Sequence, residues 1–204
     1  MAALTAWLFS PLPRARVAVL RLLVYPFVFV DVLLTTSWVA LHRHVPGDLY
    51  QPLLIGRVLP LPTPTARFVV ALEVALLVAA AVAATGRLPR LAGAAVFVLY
   101  LEWMVMAMSY GKVDHDRFAF LVALAVLPTV GRARTDDDAV DDATGWAVRC
   151  IQVAVMLTYF LAAFAKLRFG GLEWVNSATL VRAVARRGTS LADPLLDYPW
   201  VLHA

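Results

Sequence analysis

The chain has 204 residues, of which 62% are hydrophobic and 16% are charged, and its mean hydropathy is +0.77. Soluble domains are nearer half apolar, with about a quarter of their residues charged, so this composition indicates an integral membrane protein. The single cysteine excludes an intramolecular disulfide, and the net charge of +4 is not organised into the aromatic-interleaved basic stripe that would indicate nucleic-acid binding.

Five apolar segments approach or reach the roughly 20 residues that a bilayer-spanning helix needs. In chain order they are 17–41 (with a kink expected at Pro26), 66–85, 91–109, the shorter 118–130, and 146–167. We therefore predict an all-α fold, a polytopic transmembrane helical bundle of about five spans. A single transmembrane domain is expected to cover residues 1–204.

The connections between these segments differ in character. Residues 42–65 contain five prolines and are predicted to form an irregular cap on one face, whereas 86–90 reads as a tight turn. The acidic stretch 132–145 is interpreted as a solvated loop. After the last span, a short amphipathic helix ending near Gly188 is predicted to lie at the membrane interface. Because the chain then stops in what resembles the approach to another helix, we expect a truncated product or a fragment.

Basic residues fall on both sides of the predicted bundle, so the positive-inside rule does not separate the two orientations. The positive residues on the N-terminal side lie in short, plain turns. For that reason we predict a cytoplasmic N-terminus.

Three carboxylates fall within the apolar spans, namely Asp31, Glu73 and Glu102. A charge near the middle of a bilayer costs at least a few kcal/mol, so such residues usually face the interior of a bundle and carry function. From the rise per residue, all three lie roughly 10–15 Å below the same membrane face. Lys166 lies at that face. This one-sided clustering predicts a polar cavity that opens to one side. Alternatively, Glu73 and Glu102 could pair with arginines to fix helix packing, and Asp31 could be a protonated acid bonded to a neighbouring carbonyl.

The run from Tyr110 to Arg117 (YGKVDHDR) lies between two spans on the same face. Only two of the 18 basic residues are lysines, Lys112 and Lys166, and a lysine, unlike an arginine, is able to lose its proton. The run could also be a plain helix start capped by Asp114 or Asp116. His42, His44 and His115 show no ligand spacing, so no metal site is predicted.

The segments 159–180 (YFLAAFAKLRFGGLEWVNSATL) and YGKVDHDRFAFLVAL, which begins at Tyr110, resemble the HTTM family, bacterial membrane proteins related to the vitamin K-dependent gamma-carboxylase. The resemblance implies Lys112 as a base that deprotonates a reduced quinone, with His115 and Asp114 orienting it or relaying the proton. Glu73 and Glu102 would complete a polar pocket lined by Tyr159 and Trp174. It also implies a bacterial plasma-membrane location.

Two departures from the family pattern matter for this interpretation. An Asn-Asn-His element of the family is replaced by Asp114, His115 and Asp116, and the soluble domain that grips a protein substrate in the animal carboxylase has no counterpart. A second resemblance, to small DoxX and MauE-type membrane proteins, rests on size and span pattern. The lone Cys150 of this chain does not support thiol chemistry, but a quinone-linked role would not need a thiol.

Three functions remain open from the sequence. The first is a carboxylase-like or quinone-linked membrane enzyme, and the second is a non-catalytic accessory or assembly protein that binds a peptide or protein partner. The third is a small transporter or proton relay that uses Asp31, Glu73 and Glu102, which the absence of visible internal symmetry disfavours.

Overall fold

The structure is a computed structural model that describes residues 2–59, 61–111, 115–171, 179–189, 191–198 and 200. It is helical almost throughout, which confirms the all-α prediction. The α-helices of the described residues are α1 (Ala2–Leu8), α2 (Ala15–Val30), α3 (Leu54–Val58), α4 (Ala66–Ala84), α5 (Pro89–Met108), α6 (Phe118–Val126), α7 (Asp142–Gly170) and α8 (Thr179–Arg187). The chain divides into two compact units, Met1–Val155 and Met156–Ala204.

Four helices of the described part are long and apolar enough to cross a membrane: α2 with its extension to Thr35, α4, α5 and α7. The apolar helix α6, which a 3₁₀ turn continues to Thr129, is shorter. These are the helices of an integral membrane protein. The predicted second, third and fifth spans correspond to α4, α5 and α7 within a few residues at each end.

The predicted first span departs from the structure at its C-terminal end. Helix α2 continues through Pro26, where a kink was expected, and the backbone changes at Asp31–Thr35, which form a π-helix. The wider turn is closed by the Thr36 backbone N–H, which donates to the Asp31 carbonyl over 2.7 Å. Ser37–His44 then form a 3₁₀ helix, so the membrane-spanning helix ends near Thr35 rather than at Leu41.

Helices α2, α4 and α5 pack around the main apolar core, to which Val28, Leu76 and Val96 contribute fully buried side chains. At Gly93 of α5 the neighbours come closest, because a Cβ there would lie 2.5 Å from Tyr25 Oη and 2.9 Å from Pro128 Cγ. A glycine is therefore required where α5 meets α2 and the end of α6.

Arg21 joins α2 to the turn after α6. It is 5% exposed, and its guanidinium donates to the carbonyls of Leu127 (2.8 Å), Val130 (2.5 Å) and Gly131 (2.8 Å). Carbonyls at a helix C-terminus lack partners within the helix, and a cation there also complements the helix dipole. The side chain of Arg21 therefore turns inward, although the residue lies near the end of a membrane-spanning helix.

The N-terminal segment is tied to the start of α7. Strand β1 (Leu12–Pro13) pairs antiparallel with β2 (Val140–Asp141). Arg14 Nε lies 2.6 Å from Asp141 Oδ2, and the Thr144 backbone N–H donates to Asp141 Oδ1 over 2.6 Å. The acidic stretch interpreted as a solvated loop therefore ends in a structural ion pair, and α7 begins at Asp142, before the predicted Trp146.

The second unit contains the end of α7, helix α8 and a 3₁₀ turn at Asp193–Asp197. Helix α8 is amphipathic and lies where the short interfacial helix was predicted, although residues 172–178 before it lie outside the described part.

Candidate functional site

The most deeply buried acid of the membrane-spanning helices is Asp31, which has no exposed surface. It is the first residue of the π-helix, so it lies where the helix is widened and where Thr35 and Thr36 follow it on the next turn. π-Helical turns within α-helices occur frequently at functional sites. The wide turn lets both threonine hydroxyls reach back to Asp31.

The Asp31 carboxylate accepts hydrogen bonds from three elements of the bundle. Arg117 Nε donates to Oδ1 over 2.7 Å, forming an ion pair, and the Tyr100 hydroxyl donates to Oδ2 over 2.7 Å. The Thr35 hydroxyl also donates to Oδ1. A buried carboxylate is tolerated when it is paired and its remaining lone pairs are satisfied, and both conditions hold for Asp31.

A second layer of hydrogen bonds fixes these donors. Trp103 Nε1 donates to Thr36 Oγ1 over 3.0 Å, and the Thr36 hydroxyl donates to the Asp31 carbonyl over 2.9 Å. Arg117 Nη2 donates to Thr35 Oγ1 over 3.0 Å. The network joins the end of α2, the middle of α5 and the residue before α6. We call these residues, Asp31, Thr35, Thr36, Tyr100, Trp103 and Arg117, the Asp31 network.

Glu102 lies on α5 next to Trp103 but outside this network. The residue is 7% exposed, and neither carboxylate oxygen has a hydrogen-bond partner in the part of the chain that the structure describes. It lies at the wall of a cavity of about 430 Å³ that is otherwise apolar and is formed by residues of α4, α5 and the segment after α3. Leu59 and Val98 on this wall are 49% and 59% exposed, so the cavity opens on the outer surface of the bundle.

The segment after the first span covers the end of α5 with aromatic side chains. The His42 ring stacks on Tyr110 with centroids 4.1 Å apart, and Tyr50 lies 5.7 Å from Tyr110. Gln51 N donates to the Ser109 carbonyl over 2.9 Å. The predicted irregular cap is thus docked on the point where the Tyr110–Arg117 run begins.

Burial and charge perturb the titratable groups of this cap. Burial raises the pKa of the Tyr50 hydroxyl, and the negative charge of Glu102 raises it further. Burial also lowers the pKa of His42. Among the described residues, the Tyr110 hydroxyl and His42 Nδ1 are buried without a hydrogen-bond partner. Of these aromatic groups, Tyr50 is the one whose pKa responds to the Glu102 carboxylate.

The predicted site residues are distributed unevenly. Asp31 and Glu102 are buried in the first unit, but no hydrogen bond joins them, and Glu73 on α4 is only partly buried and has no hydrogen-bond partner among the described residues. Lys112, Asp114 and Trp174 lie outside the described residues, as does the side chain of His115, whose backbone belongs to a 3₁₀ turn at His115–Arg117.

Tyr159 and Lys166 belong to the second unit, where both are exposed on α7 and Tyr159 is 76% exposed. The sequence predicted Asp114 or Asp116 as the cap of α6, and Asp114 lies outside the described residues. The residue at the N-cap of α6 is Arg117, which makes no side-chain cap hydrogen bond, and Asp116 lies in the preceding 3₁₀ turn.

Sequence reasoning missed most of the Asp31 network. Arg117 was identified only as the last residue of the polar run, and Tyr100, Trp103, Thr35 and Thr36 were not identified. The sequence did contain a signal for four of these residues. Thr35 and Thr36 follow Asp31 by four and five residues, and Tyr100 and Trp103 are three apart and so share a face of α5. Nothing local to Arg117, however, predicts which acid it meets.

The described residues provide no candidate metal site, but they do provide a candidate ligand pocket. No group of three His, Cys, Asp or Glu side chains within them is arranged to hold a metal ion. The Glu102 cavity, in contrast, combines an apolar wall with one hydrogen-bonding group, as ligand pockets usually do. Comparison of the chain with models of protein families, with curated proteins and with solved structures gave no match.

Proposed function

We propose that this integral membrane protein is a quinone-linked enzyme of the carboxylase-like kind, which binds a reduced quinone from the lipid in the Glu102 cavity. The observation that carries the proposal is the cavity itself, about 430 Å³ in volume, apolar and open on the outer surface. It is bounded by a buried carboxylate that has no hydrogen-bond partner among the described residues. A quinone has a largely apolar body and oxygen atoms at its ends, so its chemistry matches this lining.

The position of the cavity beside the polar run supports the proposal. Tyr50, whose pKa responds to Glu102, packs on Tyr110, the first residue of the run. Arg117, the last residue of the run, is held by the wholly buried Asp31. The run is therefore held at its first residue by the aromatic rings of the cap and at its last residue by the buried Asp31.

In the proposed reaction, Lys112 takes a proton from a hydroxyl of the reduced quinone, leaving a quinol anion and a lysine ammonium. Only a neutral lysine amine can accept this proton, and desolvation favours the neutral form of a lysine. His115 and Asp114 would then relay the proton to solvent. Arg117, fixed by Asp31, would help to position the run.

The test uses purified protein in detergent and in lipid nanodiscs. Extraction of the wild type is expected to yield bound quinone, and Glu102→Gln should reduce the yield. Oxidation of added quinol by dioxygen, which takes up the two electrons once the quinol is deprotonated, should be lost in both Lys112→Ala and Lys112→Arg, because a guanidinium does not release its proton. Lys166→Arg serves as the matched control. Full activity of Lys112→Arg would rule out Lys112 as the base.

A second function, a non-catalytic accessory or assembly protein, is favoured by the saturation of Asp31. Its carboxylate is held by an arginine, a tyrosine and a threonine, which is what a purely structural lock between helices requires. The same experiment separates the two proposals. Absence of bound quinone together with a neutral effect of Lys112→Ala in cells would support the accessory role.

A further inference from the structure

Three arginines meet around one cavity at the opposite end of α5 from the polar run. The cavity has a volume of about 500 Å³, and its lining includes Arg87 and Arg90 at the start of α5 and Arg132 just after α6. No carboxylate occurs among its described lining residues, and none of the three arginines forms an ion pair within the described part of the chain. The positive charge of this cavity is therefore not neutralised by any residue that the structure describes.

The backbone brings these arginines together for identifiable reasons. Gly86, with a φ of 67°, allows the tight turn between α4 and α5 that carries Arg87. Arg132 Nη2 reaches the Arg87 carbonyl over 3.5 Å, and a Cβ at Gly131 would lie 3.9 Å from Arg90 Nη2. Arg21 holds the carbonyl of Gly131 and so fixes the segment that presents Arg132.

The surroundings of the cavity are those of a membrane interface. It lies where α4 and the turn after α6 end and where α5 begins. The apolar side chains of Leu88 and Leu91 beside the arginines are 51% and 74% exposed. The first turn of α5 also faces it, and the free N–H groups of a helix N-terminus attract anions. A soluble phosphate would use the arginines but leave the two leucines without a partner.

We propose that this cavity, lined by Arg87, Arg90 and Arg132, binds the phosphate headgroup of an anionic membrane lipid, with Leu88 and Leu91 against its acyl chains. Basic pockets between membrane helices recognise anionic lipid headgroups through such charge complementarity. The lipid site is independent of the proposed quinone cavity, since the two share no lining residue.

The experiment compares binding of acyl-labelled phosphatidylglycerol and phosphatidylcholine to the full chain in neutral detergent micelles. The test variant is Arg87→Gln/Arg90→Gln/Arg132→Gln. The matched control is Arg43→Gln/Arg57→Gln/Arg67→Gln, which removes three exposed arginines elsewhere and leaves the same net charge. Each cavity arginine contributes about 1 kcal/mol, or about fivefold, to binding, so the test variant should bind phosphatidylglycerol on the order of 100-fold more weakly while the control is unchanged.

Two outcomes would overturn the lipid site. Equal losses in both triple variants would mean that total charge, not the cavity, attracts the lipid. Complete displacement of phosphatidylglycerol by millimolar inorganic phosphate would indicate a site for free phosphate instead. If the test variant does not fold, Arg87→Gln and Arg132→Gln are measured singly, and each is expected to bind about fivefold more weakly.

Discussion

Replacing Arg117 by methionine tests whether the Asp31 network holds the first unit together. The substitution keeps a long side chain but removes the cation 2.7 Å from a carboxylate that has no exposed surface. Removing one partner of a buried ion pair leaves an uncompensated buried charge and costs about 3–5 kcal/mol. That is a large share of the total stability of a typical protein, so Arg117→Met should lower the unfolding midpoint sharply.

The chain supplies its own control for this prediction. Arg134 pairs with Asp136 at 3.0 Å, but the two side chains are 82% and 69% exposed. Breaking an exposed pair costs at most about 1 kcal/mol, so the unfolding midpoint of Arg134→Met should be close to that of the wild type. The assay is thermal unfolding in detergent, read as the fraction of protein that stays monodisperse.

A double variant makes the test sharper. In Asp31→Asn/Arg117→Met both charges are gone, so part of the stability lost in Arg117→Met should return. Equal midpoints for Arg117→Met and Arg134→Met would refute the assignment of Asp31 as a buried, paired charge.

Two further predictions concern other contacts of the first unit. Gly93→Ala should destabilise the protein by about 1–3 kcal/mol, since its Cβ would collide with Tyr25 and Pro128. Gly131→Ala, whose Cβ would make only an ordinary van der Waals contact with Arg90 Nη2 at 3.9 Å, should be nearly neutral in the same unfolding assay. Burial opposes ionisation of Asp141, yet hydrogen bonds from Thr144 and Arg14 hold its pKa below the usual value. Its contribution to stability should therefore be present above about pH 4 and be lost as the pH falls through its lowered pKa. The midpoints of Asp141→Asn and the wild type should converge in acid, and a constant gap between them would contradict this.

The long apolar segments were predictable because they depend on local composition alone. A run of about 20 apolar residues must form a helix in lipid, since the backbone has no other way to satisfy its hydrogen bonds there. For this reason α4, α5 and α7 were placed within a few residues, and the acids at Asp31, Glu73 and Glu102 were recognised as exceptional within them.

The partners of these acids were decided by tertiary structure. Arg117 lies 86 residues from Asp31 along the chain, and only the packing of α2, α5 and α6 brings the two together. The same packing leaves Glu102 at a cavity wall with no hydrogen-bond partner among the residues described, and Glu73 only partly buried. Composition and periodicity thus determined that this chain enters a membrane with polar groups inside it, but long-range contacts decided which of those groups are neutralised and which remain available for a ligand.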